Sequence, residues 1–349
     1  HCNKRVVGGF ARSFFKRIGQ HYKQRIAWRF EPHVAESVFE SMLSESKVRL
    51  VREAVVTDVA VQKGKIVTLA STKGTFAGKI FIDASYEGDL MARAGVPYKI
   101  GREARSAYDE EDAGVHRIIE KHQVPVAISP FTSDGATIRG VHGYMPELGL
   151  ADSKTMAYNF RLCVTTREEN RVPFPKPAAY DVEDYEVLAR ILDKKPNILI
   201  KELFEFLRIP GDKFDLNAKG GFSTDFIGGN WDYPGGTSEE RARIVEEHRQ
   251  YTLGLMYFLQ NEARVPGHLR TTARRMGLCK DEFVKNDNWP YQLYIRVARR
   301  MHSDFVLTQN DMRSDIRYPD AVAVASCPIE SHSVQRVIKN DQVVNEGWA

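Results

Sequence analysis

The chain has 349 residues, 42% of them hydrophobic and 28% charged, the make-up of a folded globular protein rather than a disordered one. Its net charge of +4 comes from 50 basic and 46 acidic residues spread evenly, which excludes the basic footprint of a nucleic-acid binder. No apolar run approaches the ~18 residues of a membrane span, and the length suits one large or two medium domains.

Val6 to Tyr22 reads as a helix entered through Gly8-Gly9, with Phe10, Phe14, Phe15 and Ile18 on one side. A second helix starts at Glu31-Pro32, where proline suits the first turn, and carries Val34, Val38, Phe39, Met42 and Leu43 at helical spacing. The period then drops to two. Val48, Leu50 and Val55 to Val61 read as strands, followed by turns at Lys63-Gly64-Lys65 and Lys73-Gly74 with Ile66, Val67 and Leu69 between them. The continuous apolar run Ile80-Phe81-Ile82 predicts a strand buried on both faces, as in a parallel sheet. From about Pro97 the sequence turns irregular, with helices between Pro- and Gly-containing stretches. Val182, Tyr185, Leu188, Ala189 and Leu192 mark one amphipathic helix. A capping-box pattern, Thr237-Ser-Glu-Glu240, opens a long one carrying Ile244, Val245, His248, Tyr251, Leu255, Phe258 and Leu259. A boundary falls near residue 100.

The four cysteines, Cys2, Cys163, Cys279 and Cys327, lie far apart in sequence without any CxxC, so neither a zinc nor an iron–sulfur ligand set can be drawn from them. They read as small buried apolar residues. The ten histidines include no HxH or HExxH, and no metal site is assigned. The chain opens on His1 and stops at Gly347-Trp348-Ala349 without a cap or polar tail, which reads as a fragment whose compartment and oligomeric state the sequence leaves open.

The segment Phe81–Gly95, FIDASYEGDLMARAG, runs from the apolar stretch through a glycine turn into a short helix. Such a turn presents backbone N–H groups and a positive helix end to an anion, although a plain strand–turn–helix reads the same way. With VPYKIGREARSAYDE behind it, the segment resembles the family of FAD-dependent oxidoreductases distantly related to the flavin domain of heterodisulfide reductase. The blocks GGFARSFFKRIGQHY, WRFEPHVAESVF, YNFRLCVTTREENRVPFPKPAAYD, FSTDFIGGNWDYP, WPYQLYIRVARRM and ESHSVQR stand in family order along nearly the whole chain.

The resemblance implies an α/β architecture of the glutathione-reductase type. Residues 1–100 would be the interior of a doubly wound FAD-binding domain interrupted by an antiparallel meander. Residues 101–349 would form a mixed α+β substrate or cap domain that returns toward the flavin domain near its C-terminal end. It implies FAD as cofactor, with Ala54 and Val55 against the adenine end through their backbone. Asp83, Ala84 and Ser85 would lie near the ribose and pyrophosphate, with Gly88 and Asp89 close by. The pattern also departs from the family. No GxGxxG is present, since Gly8-Gly9 and Gly228-Gly229 lack its spacing, and the second flavin-contacting segment is not found before Ala349. Both are expected outside the present ends. Cys327 stands where the family block carries an aromatic residue.

On the substrate side, Arg296, Arg299 and Arg300 could orient a carboxylate or sulfate, or form a solvated or ion-paired basic face. His332 could move a proton near neutral pH, or brace a loop. Asp225, Asn230 and Trp231 suit a sugar-like ligand, and equally a glycine-rich structural loop. Asn159 and Arg161 carry the same two readings, polar site or strand packing. His332 and Arg296 are therefore the catalytic candidates, with Asp225, Asn230 and Arg299 as substrate binders. Three functions follow. The first is an FAD-dependent dehydrogenase or oxidase acting on a polar small molecule such as a sugar. The second is a polysaccharide lyase or hydrolase using carboxylates. The third is a non-catalytic binding module derived from a flavoprotein fold.

Overall fold

The computed structural model describes residues 3–313, 316–321 and 331–347. Two helices open it, α1 (Gly9–His21) and α2 (Pro32–Ser46), the latter with Glu31 at its N-cap and proline in its first turn. Phe14, Ile18, Ala27 and Val34 form their small core, and Phe39 stacks on Phe14 at 4.4 Å. Phe10, expected on that apolar side, stands 86% exposed in the first turn of α1 and outside this core.

Three strands follow, β1 (Val56–Gln62), β2 (Lys65–Ser71) and β3 (Gly74–Ala77), as an antiparallel meander in the order β1-β2-β3. The β1–β2 turn is Lys63-Gly64, both at positive φ, the two-residue hairpin geometry that matches strand twist. Beyond β3 the structure departs from expectation. Residues 79–84 join no sheet, and Ile80 and Ile82 are each 82% exposed. The apolar run has no ladder to enter. Among the described residues every strand pair is antiparallel, and the single parallel pairing is an isolated bridge, Tyr144↔Ile338. The expected parallel, doubly wound sheet is thus not formed by these residues; what they form is a mixture of helices and antiparallel sheets.

After the short α3 (Asp89–Arg93), β4 (Tyr98–Lys99) leads into a long irregular stretch. The main sheet combines β5 (Leu162–Thr165), β6 (Arg171–Val172), β7 (Phe204–Ile209), β8 (Lys213–Ala218) and β9 (Gly277–Cys279) in the order β6-β9-β5-β8-β7. Between its strands run α4 (Glu186–Lys194), α5 (Ile200–Leu203), α6 (Ser238–Asn261) and α7 (Gly267–Arg274). Leu188 and Leu192 of α4 and Phe258 and Leu259 of α6 share a buried core with Leu162, Leu216 and Phe204 of the sheet. The capping box is built as its sequence requires: Thr237 Oγ1 accepts from the Glu240 N–H, and the Glu240 carboxylate accepts from the Thr237 N–H. Gly254 lets Tyr185 cross α6, since a Cβ there would lie 2.0 Å from the Tyr185 hydroxyl. That hydroxyl donates to the Tyr251 carbonyl at 2.9 Å. The chain then adds β10 (Arg300–Met301), which pairs with β4, the short α8 (Gln309–Arg313), and a hairpin of β11 (Gln335–Lys339) and β12 (Gln342–Glu346). No helix among the described residues is long and apolar enough to cross a membrane.

Candidate functional site

The segment Asp83–Asp89 is satisfied largely by itself. Asp83 accepts from the Ser85 N–H at 3.0 Å and hydroxyl at 2.6 Å with one oxygen, and from the Met91 N–H at 3.0 Å with the other. Burial works against its charge, but these bonds, with one from Leu90, hold its carboxyl below the usual carboxylate range. The anion at the start of α3 is therefore the protein's own. Gly88 takes a left-handed φ of 68° at the N-cap, and its N–H donates to Ser85 Oγ at 3.1 Å. Asp89 faces two arginines. Arg241 pairs with both of its oxygens at 2.6 and 3.0 Å, and Arg299 reaches one at 2.7 Å and also donates to the Glu87 carbonyl. Burial again opposes the charge, and the two guanidiniums lower the Asp89 carboxyl. Asp89 thus ties α3 to α6 and to the segment before β10.

Ala54 and Val55 precede β1, half-buried and exposed respectively, and both backbone groups of Val55 bond Thr72. Of five cavities of about 210 to 720 Å³ on the described surface, none is lined by Ala54, Val55, Asp83, Ala84, Ser85, Gly88 or Asp89. With Asp89 engaged by two arginines and the start of α3 already capped, these residues do not by themselves enclose a dinucleotide. What they leave open is an exposed flank along residues 84–86.

A second constellation forms where three distant segments meet on residues 157–159. The Ala157 N–H bonds Ser333, the Tyr158 carbonyl accepts from Phe226, and the Asn159 carbonyl accepts from Tyr294. This stitching brings His332, Asp225 and Arg296 together, all buried. His332 Nδ1 lies 2.7 Å from Asp225 Oδ2. Arg296 Nη1 is 3.3 Å from Asp225 Oδ1, an oxygen that receives no hydrogen bond among the described residues, and Nη1 donates to the Ala157 carbonyl. Nη2 donates to Asn159 Oδ1 at 3.0 Å, and Asn159 in turn bonds Asn217 and Thr224. Burial penalises the Asp225 charge. Arg296 and His332, with His122 beyond them, nevertheless keep its carboxyl below the usual range. Asp225 therefore stays ionised, and it selects the tautomer in which His332 Nδ1 carries the hydrogen.

The other expected residues fall elsewhere. Arg299 is held by Asp89 and does not join Asp225. Arg300 pairs with Glu103, and Arg161 with Asp215. Asn230 is fully buried, its amide donating to Thr155 Oγ1 at 2.8 Å and the Met156 carbonyl at 3.0 Å. Trp231 donates to the Val334 carbonyl and packs against Lys154 and His142. The loop expected to form a sugar shelf is therefore turned into the protein. Cys163 and Cys279 are buried free thiols whose sulfurs lie 3.6 Å apart on β5 and β9, a neighbourhood invisible in their 116-residue separation. Cys2 and Cys327 lie outside the described residues. Nothing in the sequence pattern signals a buried ion cluster in which Lys213 Nζ meets Glu31, Asp281 and Glu282 at 2.8, 2.7 and 2.6 Å, with His33 against Glu282. Glu31, His33 and Glu282 have the spacing of a metal site, but the Lys213 ammonium already supplies their cation.

Compared with known families, residues 1–348 match the model of the FAD dependent oxidoreductase family. A match over nearly the whole length shows that the chain belongs to that family: it is an FAD-dependent oxidoreductase, with FAD its cofactor. No curated protein and no solved structure gives a significant match.

Proposed function

We propose that the chain is a dehydrogenase or oxidase for a polar small molecule, with His332 moving the substrate proton and Asp225 and Arg296 setting its state. The observation that supports this reading is the buried His332–Asp225–Arg296 constellation, assembled from segments 225, 296 and 332. FAD supplies the two-electron chemistry of the family; the chain must supply a group that handles the accompanying proton. With Nδ1 hydrogen-bonded to an ionised Asp225, Nε2 is the His332 nitrogen assigned to the substrate proton. Arg296 shares the same carboxylate. Asn230 and Arg299 are assigned to bracing rather than to substrate. For the cofactor, the exposed residues 84–86 are the proposed contact, with Ala54 the remaining open position near β1.

The test is anaerobic bleaching of the flavin by a panel of hydroxy and amino compounds, comparing the FAD-loaded protein with His332→Asn. The expected loss is on the order of 10²–10⁴-fold in reduction rate at unchanged flavin content. Unchanged bleaching in the variant would remove His332 from the reaction.

A further inference from the structure

Among the described residues two lysine or arginine residues are fully buried, Lys213 and Arg336, and the fold treats them differently. Lys213 has three carboxylates, and the less fully buried Arg296, Arg299, Arg241 and Arg102 are paired as well, with Asp225, Asp89, Asp89, and Asp152 and Glu346 respectively. Arg336 of β11 is 4% exposed, and among the described residues no carboxylate lies within ion-pairing distance of it. Its Nε donates to Asn345 Oδ1 at 3.1 Å, while Nη1 and Nη2 reach the Gly140 and Gly221 carbonyls only at 3.4 Å. The guanidinium lies over the Phe222 ring at 5.0 Å. Among the described residues every acceptor is neutral, and they account for three of its five N–H groups. Burial pushes the group down to about 10, which leaves it fully charged at neutral pH. An uncompensated buried charge is among the most costly features a fold can carry.

Arg336 also lines a cavity of about 410 Å³, the size of a small-molecule site. Its walls include Phe222, Phe226, Tyr185 and Tyr251, with the Phe226 and Tyr251 rings stacked at 4.4 Å. At its rim Arg139 is engaged by Asp181, Glu183 and Asp184, and Arg243 by Glu247, so no free positive field surrounds the entrance. With Asp184, Glu246 and Glu247 among the lining residues, a multiply charged anion is disfavoured, whereas one buried planar cation suits one planar carboxylate.

We propose that this cavity binds a small monocarboxylate with an aromatic or apolar body, its carboxylate seated on Arg336 and its body between the Phe226 and Tyr251 wall and Phe222. Phe222 and Phe226 line this cavity, whereas Asp225, between them in sequence, bonds His332, and neither Asp225 nor His332 is among its lining residues. The proposal does not depend on the assignment of His332.

The experiment is calorimetric titration of the FAD-loaded protein with benzoate, against its neutral isostere benzamide and inorganic phosphate. Benzoate is expected to bind at least about tenfold more tightly than either, and to lose about tenfold or more in Arg336→Lys. Because Arg336 is buried and its variant could unfold, Ala179→Trp serves as the second variant: Ala179 is an exposed residue at the rim, and an indole there fills the cavity. It should abolish benzoate binding while thermal unfolding stays unchanged. Equal binding of benzoate and benzamide, equal binding of phosphate, no binding at millimolar benzoate, or benzoate binding untouched by Ala179→Trp would each overturn the proposal.

Discussion

The main sheet and the stretch from Val48 to Ala84 use similar apolar sequence to opposite effect. Leu162, Val164 and Leu216 of the sheet are at most 1% exposed, and strands on both sides and helices α4 and α6 account for it. Val48, Leu50, Val55, Ile80 and Ile82 are just as apolar, yet they are 50% to 82% exposed. The difference is topological rather than compositional. Each strand of the sheet has a partner from within the described residues, whereas no backbone hydrogen bond of that kind holds residues 79–82. An apolar run specifies a buried strand only when something flanks it.

The largest expected effect comes from cutting the link between the two regions. Lys213 on β8 reaches Glu31 at the cap of α2 and Glu282 beyond β9, so one ammonium joins the N-terminal helices to the sheet. Burial works against its charge, but Asp281, Glu282 and Glu31 raise its pKa well above the ordinary lysine value. Lys213→Met would leave Glu282, 1% exposed, without its cation. We expect a loss of about 3–5 kcal/mol in urea unfolding, the cost of breaking a buried pair on one side. A loss below about 1 kcal/mol, the worth of a surface pair, would show that the cluster is solvated and joins nothing.

Acid should act on the buried region next. His248 on α6 is 1% exposed, bonds the Ile244 carbonyl through Nδ1, and has an Nε2 with no partner among the described residues. Burial lowers its pKa to about 4, and His142 is lowered to about 4 for the same reason together with the charge of Arg336. A depressed folded pKa means that the unfolded chain binds more protons below its own value near 6.5. Stability present above pH 6.5 is therefore lost as pH falls toward 4, by about 3 kcal/mol for His248. His248→Phe should flatten that part of the stability profile measured between pH 7 and pH 4.5. An unaltered slope would mean that His248 takes up its proton as readily in the fold as in the unfolded chain.

What was legible in sequence follows the same division. α1, α2, the meander and the Thr237 cap could be read because helix period, turn residues and capping boxes are local signals. His332, Arg296 and Asp225 could be chosen one by one from their chemistry, but their meeting depends on contacts that no spacing encodes. His332 and Asp225 are 107 residues apart, and Arg296 and Ala157 are 139 apart. Asn230 and Arg299 show the limit from the other side. A polar residue in a glycine-rich loop and an arginine in a basic run look like ligand binders. Thr155 and Asp89, far along the chain, decide that each is spent on the fold. Arg336 carried no signal because an absent counter-ion has no sequence signature.

The smallest expected effect lies at the exposed end of the comparison. Ile80→Ser and Ile82→Ser remove apolar side chains that are each 82% exposed and belong to none of the hydrophobic clusters. At that exposure, each substitution should change stability by no more than about 0.5 kcal/mol, as ordinary surface changes do. The double variant therefore measures what covers this segment. If its unfolding midpoint matches the parent, residues 79–84 are an open, solvated stretch. A loss of about 2 kcal/mol or more would instead be the cost of unburying isoleucines, and would show that in solution the run Ile80-Phe81-Ile82 is paired and covered, as its sequence alone predicts.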